Sequence, residues 1–226
     1  MELTYYGHSC FSVRIKGHVV LFDPFVTGNP MAKHIDVDGI AADHIFVTHG
    51  HADHILDCAR IAGRTGAQIV CNWEIHEWFQ RQGITNTHPM NTGGKHTFGF
   101  GMVKAVVAHH SSGLPDGTYG GNPMGFVVRS EEGNFYYSGD TGITLDMQLI
   151  PSFVPPDFAL LPIGDNFTMG HEDAARAAHM IQCRKIIGLH YDTFEPIRID
   201  KEQALAYFER QGIELILPEI GSTIKI

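Results

Sequence analysis

The chain has 226 residues, 43% apolar and 18% charged, with a formal net charge of −9, a balance that fits a water-soluble globular protein with a core of its own. No basic run or tail accompanies the negative charge, which argues against DNA or RNA as a main partner, since phosphate binding draws on clustered Lys and Arg. No apolar run approaches the length of a membrane span, residues 1–10 lack the features of a signal peptide, and Cys10, Cys58, Cys71 and Cys183 form no CxxC pair and read as reduced core thiols; a cytoplasmic protein is expected.

The chain opens with short strand-like segments over 3–6, 10–15 and 19–22, separated by Gly7 and Gly17. Phe11, Val13 and Ile15 alternate with Ser12, Arg14 and Lys16, the pattern of a strand with one buried face. Further apolar strands are predicted at 44–47, 68–71, 103–108, 125–128, 134–137, 158–161, 185–189, 214–217 and 222–226. Helices fall between them. Asp53 can cap a helix whose apolar face is Ile55, Cys58, Ala59 and Ala62, ending near Gly63 and Gly66. A second helix covers 172–182, with Glu172 and Asp173 in its first turn. A third runs over 201–211 and stops at Gly212. No repeat, linker or low-complexity tract divides the chain, so 1–226 reads as one α/β domain. The long early β run favours a mixed arrangement over a doubly wound parallel sheet.

The chemistry concentrates in His49-Gly50-His51-Ala52-Asp53-His54, directly after the apolar strand Ile45-Phe46-Val47. Alternation along an extended segment puts His49 and His51 on one side, where both imidazoles can reach one metal. Asp53 and His54 fall where the chain turns into a helix and point towards a second. The alternative, a solvated His-rich loop, leaves so dense a cluster of polar groups without a reason. A metal site needs three or four protein ligands, and further ligand-type residues end other apolar runs. His109-His110 follows Val106-Val107-Ala108, Asp140 follows Tyr136-Tyr137-Ser138-Gly139, and His190 follows Ile186-Ile187-Gly188-Leu189.

The HxHxDH element with a later His, a Gly-Asp and a His near the C-terminus resembles the metallo-β-lactamase-fold hydrolases. Gly7-His8-Ser9-Cys10-Phe11, Phe22-Asp23-Pro24-Phe25 with Gly28-Asn29-Pro30, and His110-Ser111-Ser112-Gly113 narrow the resemblance. They are similar to a subgroup related to ascorbate-6-phosphate lactonases and N-acyl-phosphatidylethanolamine phospholipases. The resemblance implies an αββα sandwich of two mixed sheets with helices outside. It makes His49, His51 and His110 ligands of a first metal and Asp53, His54 and His190 ligands of a second, with Asp140 bridging. His110 is preferred to His109 because the subgroup's ligand precedes Ser-Ser and alternation aims His109 away.

The expected function is binuclear metal-dependent hydrolysis of a small ester, lactone or phosphodiester by a hydroxide shared between the ions. A nuclease of the same superfamily and a non-catalytic metal-binding module are the rival readings. All seven ligands are N or O donors, which suits two divalent ions, Zn²⁺ first and Mn²⁺ or Fe²⁺ as alternatives. Related di-iron oxygen-reducing enzymes carry a glutamate where this chain has His51, which argues for hydrolysis. A small-molecule substrate is expected, and a homo-oligomer stays open. Asp53 and His8 are the candidate catalytic residues, His8 as a site group that is not an essential ligand. Asp23 reads equally as a hydrogen-bond partner of a ligand histidine and as a turn cap before Pro24. The glycine-rich stretch 111–123 reads equally as a lid and as an ordinary connection. His18, His34, His44, His76, His88, His96, His171 and His179 are assigned no site role.

Overall fold

The computed structural model describes residues 1–226. Strands β1 (Glu2–Gly7), β2 (Cys10–Ile15), β3 (His18–Phe22) and β4 (His44–Phe46) lead into the short helices α1 (Ala52–Ile55) and α2 (Cys58–Thr65). Then come β5 (Gln68–Cys71), α3 (Trp73–Arg81), β6 (Thr87–Pro89), β7 (Lys95–Phe98), β8 (Gly101–Val107), β9 (Met124–Ser130) and β10 (Gly133–Tyr137). The rest is α4 (Ile150–Phe153), β11 (Phe158–Pro162), α5 (His171–Met180), β12 (Lys185–Leu189), α6 (Lys201–Arg210), β13 (Glu214–Ile216) and β14 (Thr223–Lys225).

The strands form two seven-stranded mixed sheets, ordered β14-β1-β2-β3-β4-β5-β6 and β13-β12-β11-β10-β9-β8-β7. Period-2 alternation decides the layers. Phe46, Phe135, Tyr137 and Leu160 point into the apolar cluster between the sheets, joined by Phe11, Phe22 and Phe126. Their neighbours Tyr136, Ala159 and Leu161 face outward under α5 and α6, while Ile45 and Val47 face outward under α2 and α3. Strands buried on both faces need helices on each outer side, and the result is the αββα sandwich.

The pairing pattern brings particular strand ends together. β1 and β2, and β2 and β3, pair antiparallel, while β3 and β4 pair parallel, so β1, β3 and β4 run the same way. In the other sheet β8–β9 and β9–β10 are antiparallel and β10–β11–β12 parallel, so β8, β10 and β12 share a direction. His8, Asp23 and His49 follow the first three, and His110, Asp140 and His190 the second three.

Two departures from the predicted elements have local causes. The single helix expected from Asp53 to Ala62 is broken between α1 and α2. There the Asp57 carboxylate accepts hydrogen bonds from Val26 N at 2.6 Å, Thr27 N at 2.9 Å and Thr27 Oγ1 at 2.5 Å, tying the 24–27 loop to the helix. Second, α3, β6, β7 and α4 lie where the sequence pattern predicts no element. Asn72 caps α3 by accepting from Ile75 N, but only Ile75 and Phe79 of that helix are buried.

Candidate metal centre

The strand ends meet because the chain turns sharply at them. His8, Asp23 and His190 hold left-handed backbone conformations, with φ of 56°, 41° and 55°, which for a residue with a Cβ costs about 1–2 kcal/mol. Hydrogen bonds fix these kinks, the first of them between the two sheets. His190 N donates to His8 O at 3.0 Å, Tyr5 Oη donates to the same oxygen at 3.1 Å, and Asp23 N donates to Phe46 O at 3.0 Å.

All eight sequence-predicted site residues come together there. His49, His51 and His110 bring their ligand atoms within 4.8 Å of one another, and His8, Asp53, His54 and His190 do the same beside them. His49 Nε2 lies 3.0 Å from His51 Nδ1, and the His110 ring stands 5.1 Å, centroid to centroid, from each of those two. Asp140 Oδ2 lies between the groups, 2.9 Å from His190 Nε2, 3.2 Å from His54 Nε2 and 3.7 Å from His110 Nε2. His109 is exposed and outside both groups, and none of the remaining histidines joins them.

Asp23 is a third nearby carboxylate, within ligand distance of His49 and His54, but its oxygens are engaged. Thr48 N donates to Oδ1 at 2.8 Å, and Thr48 Oγ1 at 2.6 Å, His54 Nδ1 at 2.8 Å and the Tyr137 hydroxyl at 2.6 Å all donate to Oδ2. Since the Thr48 hydroxyl spends its proton on Asp23, its oxygen accepts from His49 Nδ1, 3.0 Å away. The outer nitrogens of His49 and His54 therefore keep their protons, and the Nε2 atoms are the ones offered to the centre. Of Asp23's two expected roles, the structure has it hydrogen-bonding a candidate ligand. Thr48 and Tyr137 have no signal in the sequence beyond their neighbours: Tyr137 follows the inward register of Phe135, and a buried phenol needs a partner.

His8 is buried between two partners. Its Nε2 lies 3.1 Å from Asp53 Oδ2 and its Nδ1 3.0 Å from Thr193 Oγ1. Burial, the neighbouring His190 and His54 lower its pKa to about 4 against the pull of Asp53. The neutral ring then donates from Nε2 to Asp53 and accepts from Thr193. Burial followed by His54 holds His49 well below the ordinary imidazole value, and burial lowers His51 and His110 as well. His54 behaves oppositely: burial works to lower it, but Asp140 and Asp23 overcome that and hold it well above the ordinary value. Burial would raise the Asp140 carboxyl, yet His190 and His54 hold it well below the usual carboxylate range. Burial works the same way on Asp53, and there His8 and His54 overcome it and lower the carboxyl.

These side chains fit metal ions better than they fit one another. His54 Nε2 and Asp140 Oδ1 are buried without an aligned hydrogen bond, an arrangement that is destabilising unless another group satisfies them. The donors are imidazole nitrogens and carboxylate oxygens, a set suited to Zn²⁺, Mn²⁺ or Fe²⁺. The 111–123 stretch starts beside His51 and is fastened at its base. Ser112 Oγ accepts from Gly50 N at 3.0 Å and donates to Gly120 O at 2.8 Å, Asn72 Nδ2 donates to Gly120 O at 2.6 Å, and Ser111 Oγ lies 3.3 Å from His51 Nε2.

Comparison with known proteins agrees with this geometry. Residues 18–191 match the family described as the beta-lactamase superfamily domain. A UPF0173 metal-dependent hydrolase of Flavobacterium johnsoniae is 49% identical over 226 residues, all of both chains. The solved structure of Igni18, a metallo hydrolase from the archaeon Ignicoccus hospitalis, is 33% identical with a TM-score of 0.89, covering 99% of this chain and 97% of that one. An isothiocyanate hydrolase from Delia radicum gut bacteria has a TM-score of 0.81 over 100% of this chain and 99% of that one, but at 20% identity it shows the fold alone. None of these names a lactonase or a phospholipase. The chain is an enzyme of the β-lactamase superfamily domain family and belongs, within it, to the UPF0173 metal-dependent hydrolases.

Proposed function

We propose that the chain hydrolyses a small ester, lactone or phosphodiester with two divalent metal ions. His49, His51 and His110 would hold one, Asp53, His54 and His190 the other, and Asp140 would touch both. The observation that carries this reading is the position of Asp140 Oδ2, within 2.9–3.7 Å of imidazole nitrogens from both groups. Bound divalent ions in such a site would supply Lewis acidity and activate water at neutral pH, and the Irving–Williams order places Zn²⁺ ahead of Mn²⁺ and Fe²⁺ for this donor set.

The chain's own residues orient the site and handle protons. Asp23 and Thr48 hold the outer protons of His54 and His49 and so aim their Nε2 atoms inward. His8 donates to Asp53 across 3.1 Å, and we assign this pair the proton transfer between the site and substrate, with Thr193 holding the far side of the ring. The finer kinship with lactonases and phospholipases belongs to this proposal, and it selects the compounds to try.

The test is elemental analysis of protein prepared without chelator, followed by a panel of lactones, phosphodiesters and esters. Close to two transition-metal ions per chain are expected, with hydrolysis lost on chelation and regained on reloading. Protein that stays below one ion per chain after reconstitution with Zn²⁺ or Mn²⁺ overturns the binuclear reading.

A further inference from the structure

The two flanks of the candidate centre differ in character. Beside His110 runs a trough of about 520 Å³ whose lining includes the polar side chains of Thr92, His109 and Asn122. Beside Asp53 the chain places apolar side chains instead. Phe25 and Phe194 stand edge-on to the His8 ring, each 5.5 Å away between centroids, and 6.3 Å from each other. Leu56 lies three residues beyond Asp53, and so on the same side of the helical turn. Gly28 joins these groups. A Cβ there would collide with both the Phe25 ring and Leu56 Cδ2, so its absence lets the two side chains close over the backbone.

The resulting wall is incomplete, and its position says what covers it. Phe25 is buried, but Leu56 is 49% and Phe194 36% exposed, apolar surface left open beside a polar centre. The His8 side chain has no exposed surface, whereas that of Asp53 is 28% exposed. A proton carried by this pair therefore meets the substrate on the Asp53 side. In hydrolysis the group that needs a proton as it departs is the alcohol. The loop that carries Phe194 also offers no free cation: Arg198 pairs with Glu195 at 3.1 Å, and Lys201, just beyond it, with Asp192 at 3.0 Å.

We propose, on the hydrolase reading above, that Leu56, Phe25 and Phe194 form the subsite for the substrate's leaving alcohol, and that this alcohol is uncharged and apolar. As the water oxygen bonds to the carbonyl carbon or phosphorus, the bond to the alcohol oxygen breaks and its electron pair stays on that oxygen. The proton that the water gives up reaches it through the Asp53–His8 pair. Phe194 and Leu56, the exposed members of the wall, set the preference for an aryl or alkyl substituent. The acid portion of the substrate faces the polar trough beside His110.

The test compares two isomeric esters, benzyl acetate and methyl phenylacetate, which carry the same aromatic ring on the alcohol and on the acid side and whose alcohols are of similar acidity. A second readout needs no turnover: binding of benzyl alcohol, followed by the NMR shifts of the Leu56 methyl groups. Benzyl acetate should be hydrolysed with a kcat/KM about tenfold higher than its isomer, the worth of covering part of a ring with apolar surface. Phe194→Ala should abolish that preference and weaken benzyl alcohol binding about tenfold, with metal content unchanged, while Phe194→Leu keeps most of both. Equal kcat/KM for the isomers overturns the proposal, as does a preference for methyl phenylacetate or one that survives Phe194→Ala. Should Phe194→Ala fail to fold, Leu56→Ala makes the same comparison. If neither ester is hydrolysed, the alcohol decides. Shifts at Leu56 that weaken in Phe194→Ala uphold the subsite even though the esterase chemistry fails, and no shift there overturns it.

Discussion

Asp23→Asn is the most informative single change, because it keeps the side chain's shape and alters only what its polar atoms can do. The wild-type carboxylate is fully buried and accepts four hydrogen bonds from Thr48 N, Thr48 Oγ1, His54 Nδ1 and Tyr137 Oη. An amide nitrogen in the Oδ2 position would face three donors, so the milder placement puts it against Thr48 N. That loses one bond outright and turns three bonds to a charged acceptor into bonds to a neutral one, each weaker by about 1 kcal/mol. Relief from burying a charge offsets part of this, leaving a net loss of about 3 kcal/mol in the metal-free protein. Looser control of the His49 and His54 ring orientations should also lower metal affinity, on the order of 10–100-fold. Urea unfolding of the metal-free proteins gives the first quantity, and competition with a chromophoric chelator gives the second. An Asp23→Asn variant with wild-type metal affinity and stability within about 1 kcal/mol of wild type would refute the assignment of Asp23 as the organiser of these rings.

Three more outcomes follow from the same geometry. His110→Ala should lose metal while His109→Ala keeps it, because only the former belongs to the cluster; elemental analysis of the two variants that gave the reverse ranking would exchange their roles. His8→Ala should fold and keep both metals yet lose roughly 10²–10⁴-fold in kcat on whichever panel compound is turned over; metal content and kcat from one preparation separate a lost ligand from a lost proton carrier. His54 gives the pH dependence. Its folded pKa lies well above the ordinary value, so its charged form stabilises the metal-free fold fully below that ordinary value, and the contribution fades as pH rises through the raised one. A metal needs the bare Nε2, so loading near neutral pH should release about one proton from His54, and apparent affinity should climb with pH. Calorimetry in two buffers of different ionisation heat measures this, and zero release would contradict it.

The candidate centre was legible because its residues sit at the ends of apolar strands, where a period-2 pattern and a ligand-type residue are visible together. His49, Asp140 and His190 each end such a run. The hydrogen bonds that orient His49 and His54 were legible only in part: partnership with a ligand histidine was one of two readings of Asp23, but Thr48 and Tyr137 carried no signal, and no local pattern encodes a contact spanning 114 positions. In the fold, the strands buried on both faces were visible, but β7 was hidden because Lys95, His96 and Thr97 are all exposed on an edge strand. The break between α1 and α2 escaped for a related reason: Asp57 looks like an ordinary helical surface residue until the 24–27 loop that it anchors is folded against it.

The left-handed kinks at His8, Asp23 and His190 set backbone strain against what each side chain holds in place. Glycine would relieve about 1–2 kcal/mol of backbone strain there, but Asp23→Gly would also leave four buried donors without their acceptor and so lose more than it gains. His8→Gly and His190→Gly would likewise empty a buried place in the centre, so what holds each non-glycine residue at its turn is its side chain. Thermostable variants gathered without an activity screen should therefore still retain Asp23, and sequencing that found glycine there would contradict this.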